Sequence, residues 1–323
     1  QKLGFEVLAF EYCLFDANYY NQKAQELDAR SWLNKSIFGV WETHEVLRLF
    51  EYAKTTQGRP ASLNVAGFDT QNLGCGDPRM PEFLAGLAER LDPDMAARLR
   101  QELANDLQSL QQLPDREAEM QYTLAMRQRI DSYADYFTTR FDALMAAMPE
   151  RRRDLLLARQ LTKTLKTDVA RAEAHLAGDI KKRYEIRDAI MAENVRFLAE
   201  EYWPGKKIMV WAHNAHIMHN GAKVEDSFRS MGTDVAKQFG DQVYTIGLYS
   251  YKRQGKYNNR KVYSTSPVTP LSLEAVFGQA HTRYSFLDLA GTSNYAGTQW
   301  LYDAALTAKA WGVYDEKMML KEQ

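Results

Sequence analysis

Apolar positions along the chain follow two habits. Short continuous runs occur at residues 5–10, 63–68 and 208–211, the last one behind two lysines. Runs of that length suit strands, and the third suits a buried strand of a sheet covered on both faces. Residues 241–248 give a further strand. Elsewhere apolar residues recur three and four apart, which predicts helices at 15–27, 184–202, 224–239 and 272–280. Another helix opens after Thr43, a suitable N-cap, with Val46, Leu47 and Phe50 as its stripe. Strand alternating with helix implies an α/β fold with a mostly parallel sheet.

Residues 81–177 break this alternation. Leu99, Leu103, Leu107 and Leu110 lie at helical spacing, as do Leu157, Leu161, Leu165 and Val169, and no strand pattern intervenes. Pro114 and Pro149 punctuate the run. The expected organisation is a first part of the core at 1–80, a helical insertion at 81–180, and at 181–323 the rest of the core with a smaller C-terminal α/β part. Residues 251–269 are polar and read as loop.

Composition adds limits. The 323 residues are 45% hydrophobic and carry a net charge of -1, so nothing global points to nucleic acid or an anionic membrane. No apolar run of about 18 residues is present, so no transmembrane helix is expected. Two cysteines, Cys13 and Cys75, make no disulfide framework; they fit a reducing compartment and an expected cytoplasmic location. The sequence opens without Met, and the expectation is that it starts inside a domain.

The chemistry gathers where strands should end. Glu11 follows the first run, Asp69 closes the second, and His213, Asn214, His216 and His219 follow the third. Ligands in open α/β sheets collect at the carboxyl ends of strands, so Glu11, Asp69 and His213 are expected to share one crevice. Arg187, Met191 and Asn194 fall on neighbouring parts of one helix face and can add a cation. His213 and His216 with a carboxylate could hold zinc, although the H-E-x-x-H signature is absent. The other reading is metal-free, with one histidine taking a proton from water and donors such as Asn214 or Arg187 meeting the developing charge. G-x-S-x-G, the P-loop pattern and G-x-G-x-x-G are all missing, which argues against serine hydrolases, P-loop nucleotide hydrolases and the common dinucleotide-binding classes.

Trp211-Ala212-His213-Asn214-Ala215-His216 resembles the W-A-H-N-x-H motif of the erythromycin esterase family. Gly4-Phe5 with Glu11, Trp41 with Thr43 and Glu45, Gly67-Phe68-Asp69, Arg187-Asp188 with Met191-Ala192 and Asn194, and Ser230-Met231-Gly232 agree with it in order and spacing. The resemblance implies a three-layer α/β/α core with a helical insertion, and hydrolysis of a macrolide lactone without a metal or other cofactor. It places Glu11, His213 and His216 in the active site, with Arg187 as a further candidate. Asn214, Asp69 and Trp41 are expected at the substrate. The expected partner is a small-molecule ester or macrolactone, with no nucleic acid and no membrane. The family's G-E-x-x-H-G motif, whose histidine is the proposed base, belongs upstream of the G-F segment and is expected to lie outside this sequence. A polysaccharide-biosynthesis protein or a non-catalytic binding protein of the same fold is the alternative.

Overall fold

The three apolar runs form one parallel sheet. In the computed structural model, which describes residues 3–219, 228–249, 254–256, 262–264, 272–280, 282–292 and 295–300, the strands are β1 (Phe5–Cys13), β2 (Asn64–Asp69) and β3 (Lys207–Trp211). Their order is β2-β1-β3, with Leu8 opposite Val65 and Met209. Successive side chains of a strand point to opposite faces, and β1 is apolar on both. Val7 and Ala9 enter one core, with Phe68, Leu157, Leu161 and Leu165. Leu8 and Phe10 enter a second core with Val65, Trp32, Val46 and Phe50. Helices therefore cover the sheet on both sides, which is the three-layer α/β/α architecture.

The stretch expected to be helical is helical. Its longest element, Arg152–Leu176, has 25 residues and buries Leu157, Leu161, Leu165 and Val169 against the first core. The helix at 44–56 starts where Thr43 Oγ1 accepts from Val46 N at 3.3 Å. Other ends moved. The helix after β1 is Leu14–Gln22, and the one before β3 is Ile180–Phe197 followed by a π turn over Leu198–Tyr202. The helix expected at 224–239 is seen as Met231–Phe239, and residues 224–227 lie outside the described residues.

Three expectations need correction. β3 is not a fully buried strand. Among the described residues no strand pairs with its other edge, and Met209 is 45% exposed. Residues 241–248 form no strand. A 3-10 turn covers Gly240–Gln242, and Tyr244, Ile246 and Leu248 beyond it are exposed; among the described residues no strand pairs with this segment. Cys13 and Cys75 are not free thiols but joined as a disulfide. Adjacent parallel strands end side by side, so the end of β1 meets the short helix Asn72–Cys75 that follows β2. The cytoplasmic expectation loses the ground it had in free cysteines.

Contacts divide the chain into two compact units, 1–212 with 216–244, and 213–215 with 245–323. Within the second, β4 (Gln254–Lys256) pairs antiparallel with β5 (Val262–Ser264), inside a stretch expected to be loop. The helix Leu273–Gly278 is capped by Ser272 Oγ, which accepts from Ala275 N at 3.2 Å. Among the described residues no helix is long and apolar enough to cross a membrane.

Candidate active site

β1 and β2 run in register until Phe10 faces Gly67, and then Cys13 faces Asp69. β1 spends one residue more than β2 over this interval. That is a bulge, and bulges re-aim side chains. Glu11 lies inside it, two residues before the strand ends, and not at the strand end as expected. Gly67 is required there. A Cβ at Gly67 would lie 2.4 Å from Cys13 O and 2.7 Å from Tyr12 O.

Asp69 ends β2 and is fully buried. Thr70 N donates to its Oδ1 at 2.7 Å, and Gln71 Nε2 donates to its Oδ2 at 2.7 Å. The helix Ile180–Phe197 crosses these strand ends, held by Asn194, whose Nδ2 donates to Phe68 O at 2.8 Å. Two turns earlier on the same face, Arg187 Nε donates to Asp69 Oδ1 at 3.0 Å and Nη2 to Asp69 Oδ2 at 2.6 Å. Nη2 also donates to Glu11 Oε1 at 2.8 Å. This is a fork-shaped, charge-assisted pair of the strong kind. Burial alone would raise the Asp69 carboxyl, but the Arg187 guanidinium outweighs it and holds the carboxyl below its usual range. Burial likewise opposes the charge on Arg187, yet Asp69 and Glu11 raise its pKa.

His216 lies in the short helix Asn214–Ile217 and is buried. Its Nδ1 lies 2.9 Å and 3.0 Å from the two oxygens of Asp188. Asp188 is itself fully buried and accepts from Met231 N at 2.8 Å. The carboxylate fixes the ring with its proton on Nδ1. Nε2 then faces Arg187 Nη1 at 3.1 Å and Glu11 Oε1 at 3.4 Å. Burial and Arg187 push the imidazole pKa down, while Glu11 and Asp188 raise it, and the balance settles at about 9. A pKa of about 9 favours the charged imidazolium at neutral pH, with the Glu11 carboxylate as the counter-charge beside Nε2. Three carboxylates, Glu11, Asp69 and Asp188, hold two cations, Arg187 and His216.

The structure thus joins Glu11, Asp69, Arg187 and His216. Asp188 is the member that sequence reasoning left out. Its position beside Arg187 in the matched segment was the available signal, but a helix carboxylate by itself reads as solvated. Gly232 secures the Met231 contact by close approach, since a Cβ there would meet Ile217 O at 2.2 Å. The other candidates have contacts of their own. Trp41 stacks edge-on against Trp211, with ring centroids 5.6 Å apart. Asn214 belongs to the second unit, where its Nδ2 donates to Leu248 O at 2.8 Å and its Oδ1 accepts from Leu248 N at 3.2 Å. His213 is also in that unit, and its Nδ1 accepts from Ala215 N at 3.1 Å. His219 O accepts from Thr233 Oγ1 at 2.7 Å.

A cavity of about 470 Å³ lies in the same unit, and none of Glu11, Asp69, Arg187, Asp188 and His216 lines it. Its walls include Tyr12, Phe38, Glu42, Gln71, Cys75 and Arg116. Gln71 links it to the group through the bond to Asp69. A zinc ion on His216 Nε2 would have to displace the Arg187 guanidinium already 3.1 Å away, so the donor set does not suit a metal at that atom.

Comparison with known proteins bears on the family and the fold. The erythromycin esterase family model matches residues 1–322. A Bacillus subtilis protein named "Putative hydrolase YbfO" is 29% identical over 346 residues, spanning 100% of this chain and 75% of the relative. A Bacillus cereus protein of known structure superposes with a TM-score of 0.65 at 18% identity, over 93% of this chain and 72% of that one. A solved succinoglycan biosynthesis protein gives 0.60 at 16% identity, over 87% and 68%. A mutant of the erythromycin esterase EreC in its open conformation gives 0.59 at 15% identity, over 86% and 72%. These structures share the fold. The chain is a hydrolase and belongs to the erythromycin esterase family.

Proposed function

We propose that the chain hydrolyses a carboxylic ester, and that its substrate class is the macrolactone of a macrolide antibiotic. The observation that carries this reading is the paired cation group, Arg187 and His216, held at the strand ends by Glu11, Asp69 and Asp188. Attack of water on an ester carbonyl places negative charge on the carbonyl oxygen. Fixed cationic donors in a water-poor site stabilise that charge without reorganising. His216 is protonated at neutral pH and acts as a donor, not as the base. Glu11 orients the Nε2–H and the attacking water. The base in this reading is the histidine that the family carries in its G-E-x-x-H-G motif. His213 is assigned to the same reaction on the motif alone. Lactone opening would inactivate the drug, which is a resistance activity.

The test is mass spectrometry of the full-length protein with a panel of macrolides. Gain of one water with ring opening supports the reading, and intact macrolides throughout reject it. His216→Gln should lower kcat about 10²–10³-fold with a smaller change in KM, measured below the variant's melting temperature. An unchanged kcat would remove His216 from the reaction.

A further inference from the structure

The Cys13–Cys75 disulfide is not used by the hydrolytic group, and its surroundings are unusual. Cys13 is fully buried at the end of β1, whereas Cys75 is partly exposed and lines the cavity. Behind the sulfurs lies Asp16, 4% exposed. A carboxylate oxygen of Asp16 and both sulfurs lie within 4.8 Å of one another. Asp16 Oδ1 has no hydrogen-bond partner among the described residues. A buried polar atom without a partner is costly and calls for an explanation.

We propose that Cys13, Cys75 and Asp16 form a thiol–disulfide exchange site, opened from the cavity by a small-molecule thiol with Asp16 as the proton donor. The incoming thiolate attacks Cys75 Sγ, the sulfur within its reach. The Cys13–Cys75 bond breaks and its electron pair leaves on Cys13 Sγ. A thiolate buried there would be poorly solvated and a poor leaving group. Asp16 transfers its proton to that sulfur and becomes the carboxylate. A second small-molecule thiol then attacks the mixed disulfide and releases the oxidised small molecule. Cys75 is left as a thiolate that takes up a proton. The protein gains two electrons and two thiols, and two small-molecule thiols become one disulfide.

Three features fit this sequence of steps. Burial and the nearby Asp77 raise the Asp16 carboxyl to about 8, against the pull of Lys35, so it carries a proton at neutral pH. Tyr12 and Tyr20 also face this carboxyl, and both are themselves pushed up, chiefly by burial, so they stay neutral. Asp77 is held in turn by the Tyr20 hydroxyl and by Arg79. The freed Cys13 thiol has an acceptor waiting, because Gln71 O lies 3.3 Å from its sulfur. Gln71 is also the residue whose side chain donates to Asp69. Opening the disulfide therefore frees Cys75 and the short helix Asn72–Cys75 from the end of β1, next to the turn that carries Asp69 and Gln71.

The test uses the protein purified without reductant and reduced glutathione as the probe. Peptide mapping after acid quench should place the mixed disulfide on Cys75 and leave Cys13 unmodified. Asp16→Asn should slow opening about 10²-fold at neutral pH and, with rates divided by the glutathione thiolate fraction, remove the remaining pH dependence near 8. Amide exchange across residues 69–76 should accelerate on reduction while that of β1 and β2 stays slow. A Cys75→Ser variant, which should fold, must form no mixed disulfide. Two alkylatable thiols in the unreduced protein, a mixed disulfide on Cys13, or a wild-type pH profile in Asp16→Asn would each overturn the proposal.

Discussion

At the scale of single residues, the candidate site is an exercise in charge balance. Arg187 neutralises Asp69 inside the protein and reaches Glu11 with the same nitrogen. Removing one partner of a buried pair leaves the other charge stranded, at a cost of about 3–5 kcal/mol. Arg187→Met should lose stability on that scale in urea unfolding, and Arg187→Lys should recover only part of it, since an ammonium cannot fork onto Asp69. A loss under about 1 kcal/mol would mean that the pair is not a buried one. Asp188 makes a separate prediction. It contributes charge to the His216 imidazolium, so Asp188→Asn should lower the His216 pKa from about 9 by roughly a unit or more. Histidine NMR titration reads this directly, and an unchanged value would assign the shift to Glu11 alone.

At the scale of elements, the β1 bulge decides where Glu11 points, and Gly67 makes room for it. Gly67→Ala should cost about 1–3 kcal/mol through overpacking against backbone that cannot yield. Gly74→Ala is the matched control. Its added Cβ would meet nothing closer than Glu119 Oε1 at 3.9 Å, and Ala suits a helix better than Gly, so stability should hold or rise. Equal losses at both positions, measured by thermal unfolding, would contradict the bulge as the constraint. The helix Ile180–Phe197 is the second positioning element. Its Asn194 anchors it to β2, so Arg187 and Asp188 arrive at fixed places about two turns and about one and two thirds turns earlier.

At the scale of the whole molecule, these buried groups give stability a pH dependence. The folded-state pKa of His216, about 9, exceeds its ordinary value of 6.5. Its stabilising contribution is therefore complete below about 6.5 and is lost as pH rises through 9, to the extent of about 3 kcal/mol. Asp16 acts in the same direction over a lower window. Its folded pKa, about 8, is raised above 3.8, so the folded state loses stability as pH climbs between these values. Asp69 has the opposite sign, with its contribution lost as pH falls below its unfolded value. Wild-type melting temperature should fall from pH 6.5 to 9, and His216→Gln should show a shallower fall. Parallel curves would mean that His216 is not charged in the folded protein.

The sequence by itself determined the three strands of the parallel sheet and the helical stretch, because apolar periodicity reports which faces are buried before any partner is known. It also determined which residue types gather near strand ends, and the W-A-H-N-x-H segment pointed to the family. Only the tertiary structure decided which of those residues meet. Asp188 became a site residue when Met231 and His216 closed on it from distant segments. Asn214 and Trp41 found structural partners in Leu248 and Trp211. Cys13 and Cys75 became a pair because two strands end side by side. Periodicity is a property of neighbours along the chain, whereas a charge network depends on distances between segments that the chain brings together only on folding.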